Sequence, residues 1–378
     1  MNERVLVSGA SIAGLTLAHF LARNGFRPTV VERAPAVRPG GNGVDVRGRA
    51  LDVVGRVGIR PAVEAAAADV RGLRFVDDHD RTTARFDLRA SDSVEVMRGD
   101  LVALLRARAD VEFLFDDTVT ALRQDPGGVD VEFARAAPRR FDLVAGADGL
   151  HSAVRRLAFG PEQRYLRFKG HYFAFADADA ALGEDRCVTL HNSPGKVAGL
   201  YRSGTHEQAK AYFMFRSAPL DLDHRDTDRQ RLLLREAFGG DTSWRVPELL
   251  EGALADPEFY FDALSQVALP DWSAGRVVLV GDAAWCASPA SGAGAELALV
   301  GADRLAGALA AHRGDHRAAF ARYLAEHRPT VRRRQRIGPN VRLMVPRTAA
   351  GARARDALAR LRGRPGPAGR PRRGESGA

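Results

Sequence analysis

Cysteine is nearly absent: Cys187 and Cys286 are the only two in 378 residues. That excludes a disulfide framework and suits a reducing compartment. No run of eighteen apolar residues occurs, so no transmembrane helix is expected. Met1-Asn2-Glu3-Arg4 leads into Val5-Leu6-Val7 without the apolar core of a signal peptide. These absences point to a cytoplasmic protein. Lysine is scarce too, since of 56 basic residues only Lys169, Lys196 and Lys210 are lysine. An arginine skew of that kind reflects codon composition better than phosphate binding. Fourteen arginines fall in residues 331–378 against Asp356 and Glu375, so the net charge of +9 resides there and the rest is slightly acidic. No aromatic residue is interleaved to stack on bases, and nucleic acid is not an expected partner. From Gly363 onward the sequence is Gly-, Pro- and Arg-rich and reads as a disordered tail.

What remains is 45% hydrophobic and 27% charged, an ordinary globular composition. The length suits two domains, or one α/β unit with an insertion. Val5 to Ser8 reads as a buried parallel strand, and Leu15 to Asn24 as a helix closed by Gly25. Pro28 to Arg33 is a second strand ending in an acid. Short strands and helices continue to Ala145, with a hairpin around Asp125-Pro126-Gly127-Gly128. From Tyr165 to Ser217 four strands separated by turns suggest an antiparallel sheet inserted into the α/β core. Helices return at Glu296–Ala311 and Arg317–His327.

Three motifs carry chemistry. The first is Gly9-Ala10-Ser11-Ile12-Ala13-Gly14, between a strand and a helix, with Glu32 at the end of the next strand. This is a Rossmann-type fingerprint in which Ser11 replaces the middle glycine. Gly9 permits the turn, Gly14 permits close packing, and helix-start N–H groups can hold a pyrophosphate. Glu32 can accept hydrogen bonds from ribose hydroxyls, which suits an adenosine with a free 2′-OH. The second motif is Gly146-Ala147-Asp148-Gly149, leading through Ser152 to Arg155. The third is Gly281-Asp282-Ala283-Ala284, continuing through Pro289 to Gly292-Ala293-Gly294-Ala295-Glu296. Asp282 at a strand end can bond a ribityl or ribose hydroxyl, and the Gly292–Ala295 helix start can face negative charge. His312 and His316 are four apart, but Gly314 lies between them and no acidic third ligand is evident, so no metal is expected.

In this order and spacing the motifs resemble the class A flavoprotein monooxygenases, the para-hydroxybenzoate hydroxylase-like family, from about Val5 to His327. The texture is similar to actinobacterial tailoring enzymes and tetracycline-inactivating monooxygenases. The resemblance adds Arg47, in the second FAD-contact loop, and Arg98, at a helix start near the flavin. Arg33 joins Glu32 as a cofactor-side candidate. Trp285 stands where many relatives have histidine, and Glu296 where many have asparagine. The W-x-W-x-I-P motif of the related flavin halogenases is missing.

The resemblance implies an α/β fold: a Rossmann-like FAD-binding domain with an inserted antiparallel-sheet substrate domain and C-terminal helices. Residues 1–72, 96–160 and 268–330 would form the FAD domain, 73–95 and 161–267 the substrate domain, and 331–378 a basic helix and tail. It implies non-covalent FAD, reduced by NADPH or NADH. O₂ would then give a C4a-hydroperoxide that hydroxylates a small aromatic or polyketide-like molecule. Pro289, Gly292 and Gly294 would line the flavin. Candidate substrate-lining residues on the inserted sheet are His171, Phe173, His191, Tyr201, Phe213 and Phe215. A monomer or homodimer is expected. The alternatives are a flavin-dependent dehydrogenase or reductase on the same fold, and a catalytically quiet FAD-binding interaction protein.

Overall fold

The computed structural model describes residues 3–37, 40–88, 92–337 and 340–362. The expected disordered tail lies outside these residues. Four consecutive parallel pairings organise the first sheet. Arg4–Ser8 lies between Leu143–Gly146 and Arg27–Glu32. Val277–Leu279 extends the sheet beyond Leu143–Gly146, and Glu112–Phe115 extends it beyond Arg27–Glu32. Ser273–Ala274 adds a short antiparallel edge, giving six strands. The central strands are buried apolar runs, as parallel strands covered on both faces require.

The helix Ile12–Arg23 crosses between the first two strands and packs on the long helix Gly294–Ala311. Gly25, with φ of +80°, turns the chain beyond that first helix. The hairpin Val119–Asp125 and Gly128–Phe133 gains a third strand, Arg139–Phe141. Helix Gly294–Ala311 ends before His312, Gly314 turns the chain with φ of +81°, and His316 opens the next helix. The two histidines therefore sit on separate elements.

The second sheet has seven strands, drawn from residues 72–87 and 166–267. Its long strand Leu166–Ala178 lies between Tyr260–Val267 and Ala209–Arg216, both antiparallel to it. Lys196–Arg202 and Cys187–Ser193 follow, and Gly72–Val76 pairs parallel to the latter. A two-stranded ribbon, Gly43–Arg47 with Ser93–Met97, is separate from both sheets.

Cross-strand partners share a face, and the register decides which side chains meet. Tyr172, Ala174, Ala198, Phe213 and Phe215 are buried with Leu234, Phe238, Leu249 and Leu250 from helices Thr227–Phe238 and Val246–Ala255. Phe213 meets Phe238 edge-on at 5.0 Å. Phe213 and Phe215 therefore pack beneath the helices and do not line a substrate cleft. The alternation predicted their shared face, but only the helical layer reveals which face is covered. His191 is corrected for the same reason. Its pairing with Ala198 turns it to the helical side, where its Nε2 bonds Ser243 Oγ at 2.9 Å and its ring meets Trp244.

The opposite face presents Phe173 and Phe175 beside Met214 and Tyr212. C-terminal helices Asn340–Met344 and Ala349–Arg362 reach this second sheet. Val345 is buried against Phe75, Leu190 and Val197. Arg355 donates to Asn192 Oδ1 at 2.6 Å and stacks over Phe75.

The assignment of Phe213 has a stability consequence. Phe213→Ala should lower the unfolding free energy by about 3–5 kcal/mol by opening a cavity under Phe238. Denaturant melts check this, with FAD affinity expected to stay within twofold of wild type.

Candidate active site

The three motifs end neighbouring parallel strands. Gly9 follows Ser8, Ala147 follows Gly146, and Val280 follows Leu279. Ala147 N donates to Ser8 O at 2.7 Å, and Val280 N to Gly146 O at 2.9 Å. Segments far apart in sequence thus share one carboxyl edge, where open parallel sheets bind ligands.

The glycine turn is sterically closed. A Cβ on Gly14 would lie 1.9 Å from Gly9 O, and one on Gly9, at φ +109°, 2.5 Å from Ala147 O. No side chain caps the helix Ile12–Arg23, so its first N–H groups remain available to an anion. Ser11 Oγ accepts from Arg98 Nη2 at 2.9 Å, anchoring that arginine across the turn. Glu32 returns to the same turn, accepting from Ala10 N at 2.8 Å and Ala34 N at 2.9 Å. Arg33 is exposed beside it.

The second motif is a scaffold for the third. Asp148 Oδ2 accepts from Val154 N, while its Oδ1 holds Ser152 Oγ. Ser152 in turn caps its helix by accepting from Arg155 N. Asp148 shapes its own turn with both oxygens. Burial raises its carboxyl above the usual range, and these hydrogen bonds oppose the rise. Arg155 is wholly buried and donates to Ala283 O at 2.9 Å, to Leu150 O and to Glu162 Oε2. A side chain of the second motif therefore fixes the backbone of the third.

Asp282 stands at the start of the short helix Asp282–Trp285, exposed toward the cleft. Burial of the surroundings raises its carboxyl, and Arg98 opposes that shift. Pro289–Ser291 forms a single tight turn, followed by Gly292 at φ +56°. Arg47 donates to Gly292 O at 3.1 Å and to Glu296 Oε2 at 2.9 Å. Arg334 holds Glu296 from the other side. Ala293, Gly294 and Ala295 form the start of the long helix, which also lacks a side-chain cap. Ser288 Oγ is buried without a hydrogen-bond partner among the described residues. Two uncapped helix starts, a glycine cradle and an acid beside each fit a dinucleotide with an extended polar linker.

Trp285 points away from this edge. It packs at 4.5 Å from Trp272 and 4.7 Å from His327, ring centre to ring centre. A Cβ at Gly301 would lie 2.7 Å from its ring, so the tryptophan is accommodated by a glycine opposite it.

The second sheet approaches this edge with an aromatic face, where the charge of Arg98 acts on Tyr260 and that of Asp262 acts on Asp282. Phe175 meets Tyr212 edge-on at 4.7 Å and stacks with Tyr260 at 6.0 Å, and Phe173 lies 5.2 Å from Phe175. Tyr260 is 44% exposed beside Phe173, Phe175 and Asp262. Tyr201 shares this face and meets Tyr212 at 6.1 Å. Its hydroxyl lies beside Gly43 in the ribbon.

Residues 2–336 match the family described as FAD binding domain. The chain belongs to the class A FAD-dependent monooxygenases. A flavin-dependent monooxygenase of Legionella longbeachae is 36% identical over 343 residues, 89% of this chain and 88% of that one. An uncharacterised protein of Mycobacterium tuberculosis is 42% identical, covering 88% of this chain and 92% of its own. Crystal structures of the tetracycline destructases Tet(51) and Tet(55) align with TM-scores of 0.85 and 0.82. They share 33% and 36% identity with it, over 96% and 95% of both chains. The monooxygenase binds FAD, and no described helix is long and apolar enough to cross a membrane.

Of the substrate-side expectations, Phe173 and Tyr201 lie on the sheet face opposite the helices, both buried, Tyr201 against Ala68 and Met97. His171 is buried, with Nδ1 on Lys169 O and Nε2 unpartnered among the described residues. Burial lowers the pKa of its imidazole. The same face carries Phe175, Tyr212, Tyr260 and Asp262, which sequence reading did not single out. The alternation carried their signal, since Phe173 and Phe175 share parity and register places Tyr212 opposite Phe175.

Arg155→Lys keeps the charge but not the fork. It should lower stability by about 1.5–3 kcal/mol, the scale of a charge-assisted hydrogen bond, and weaken FAD binding. Thermal melts and FAD fluorescence titration check both effects.

Proposed function

We propose that this monooxygenase uses a nicotinamide donor, NADPH or NADH, and hydroxylates a planar aromatic or polyketide-like molecule. The observation that supports the reading is the aromatic cluster of Phe173, Phe175, Tyr212 and Tyr260, whose Tyr260 feels the charge of Arg98 and whose neighbour Asp262 acts on Asp282. Offset and edge-on contacts of such rings suit a flat conjugated substrate. The tetracycline destructases among its structural relatives act on a polycycle of that kind by name, which supports the same class here.

The residues divide the work. The glycine turn and the start of helix Ile12–Arg23 would hold the pyrophosphate of FAD, with Glu32 at the adenosine ribose. Asp282 would bond the ribityl chain, and Arg98, anchored by Ser11, would sit beside it. Gly292 to Ala295 would present N–H groups to the flavin's pyrimidine edge, with Arg47 fixing that loop through Gly292 O. The bound flavin supplies reductive activation of O₂ and transfer of one oxygen atom. The aromatic face positions the acceptor carbon and excludes water from it.

Anaerobic titration with NADPH tests this reading. The flavin absorbance should bleach, and one or more planar phenols or polyketide aromatics should accelerate bleaching. Absence of bleaching with NADPH and NADH across a tetracycline and phenol panel would refute the donor assignment. Phe175→Ala should raise KM for the accelerating compound on the order of tenfold, with FAD affinity unchanged. Steady-state kinetics read that difference.

A further inference from the structure

A chain of polar side chains crosses the monooxygenase from its cleft to its surface. Tyr260 Oη donates to Asp262 Oδ2 at 2.9 Å. Asp262 Oδ1 lies 3.2 Å from His151 Nε2, and His151 Nδ1 lies 2.9 Å from Glu162 Oε1. Asp262 in its middle is 8% exposed, and exposure rises to 21% at His151 and Glu162 on one side and to 44% at Tyr260 on the other. Tyr260 opens toward the cleft at the inner end, and Asp262 is paired in register with Phe173 on the aromatic face. His151 comes from the other sheet, in the turn after Leu143–Gly146. The chain therefore joins both walls of the site.

Its geometry exceeds what an interdomain pin needs. The His224 ring stacks on His151 at 4.0 Å with the planes 4° apart. Two imidazolium ions would repel at that distance, so the stack pairs one charged ring with one neutral ring. The groups facing His151 are Asp262 from the edge strand, Glu162 with Arg155 behind it, and His224 with Asp223 and Arg225 alongside.

We propose that His151, Asp262 and Tyr260, with Glu162 orienting the imidazole, form a proton relay that delivers the solvent proton of each turnover to the cleft, with His151 as its charged centre. The proposal rests on the nicotinamide-donor reading above. One hydride, one proton, one O₂ and the substrate give the hydroxylated product and one water, so each turnover takes a single proton from solvent. An anionic group in the cleft takes the Tyr260 hydroxyl proton. Asp262 then passes the Nε2 proton of His151 to the phenolate oxygen. The imidazole is left neutral with its remaining proton on Nδ1, held by Glu162, and one solvent proton adds at the vacated Nε2 to restore the imidazolium, so Glu162 orients the ring and does not itself carry the proton. Charge and atoms balance over the cycle.

The titration of these groups agrees. Burial alone would lower the pKa of His151, but hydrogen bonds to Asp262 and Glu162 outweigh that and raise it to about 9. Burial and the charge of His151 lower the pKa of His224. Crowding by the surrounding side chains and, beside it, the charge and hydrogen bond of Asp262 hold the Tyr260 phenol protonated. The relay is thus loaded at neutral pH and unloads as pH rises through about 9. His151 is a positioning residue here, since it acts through Asp262 and Tyr260.

The experiment compares wild-type holoenzyme with His151→Gln and Tyr260→Phe, using NADPH and the compound that accelerates flavin bleaching. Wild type should lose kcat along an alkaline limb near pH 9. His151→Gln should lower kcat on the order of 10²-fold, the usual scale of a lost proton transfer, with KM within twofold and no alkaline limb. Tyr260→Phe should cost as much, and the double variant no more. Histidine NMR gives a readout apart from turnover: the His151 ring should titrate near 9 and move down in Asp262→Asn. A purely structural pin would change FAD affinity and melting temperature but keep the alkaline limb. Wild-type kcat and pH profile in His151→Gln, or a His151 ring titrating near the free imidazole value, overturns the relay alone. Wild type that consumes no O₂ with NADPH or NADH overturns the donor reading instead, and the relay with it.

Discussion

Arg155 is closed off from water, and its position governs the site. A guanidinium stripped of solvent must find acceptors, and it finds them in Ala283 O, Leu150 O and Glu162. Those acceptors belong to the turn after one strand, the turn after its neighbour and the surface segment below. Its Nη1 and Nη2 are satisfied only when both turns adopt their observed course, while Nε has no partner among the described residues. Asp282 sits next to Ala283, so its placement at the strand edge follows from a residue 127 positions away in the sequence. Gly14 imposes a comparable constraint at the third strand end, where no side-chain atom fits between helix and turn.

The second sheet answers a different constraint. Each of its central strands has two buried faces, one under helices and one toward the first domain. The helical face is filled by Phe213, Phe215, Tyr172 and Phe238, and owes its composition to packing. The opposite face carries Phe173, Phe175, Tyr212 and Tyr260, and is covered in part, by Val345 over Leu190 and Val197 and by Ala68 and Met97 around Tyr201. Packing beneath helices thus accounts for the rings on one side, and substrate recognition is the role proposed for those on the other.

This division explains what the sequence disclosed. The strand, glycine turn, helix, strand and acid of residues 5–32 were legible because each is a local signal. The adjacency of the three motifs was legible through their order. Alternation grouped Phe213 with Phe215 and His171 with Phe173, but a period of two does not say which group meets helices from residues 227–255. His191 was misplaced on the same account, its true partner Ser243 lying 52 residues on. Trp285 looked like a departure at the flavin, yet it belongs to a tryptophan–tyrosine–histidine core made possible by Gly301. The cluster of His151, Asp262 and Glu162 was hidden because it joins two sheets, and neither strand nor turn signals mark such a meeting.

The central claim is that a motif-lined FAD edge faces an aromatic wall so that one oxygen atom passes to a flat substrate. Turnover under ¹⁸O₂, with product mass spectrometry, tests it most directly. The account predicts a product heavier by one ¹⁸O atom, formed in step with donor oxidation. A product without ¹⁸O, or donor oxidation that yields only hydrogen peroxide with every planar aromatic tried, would contradict it.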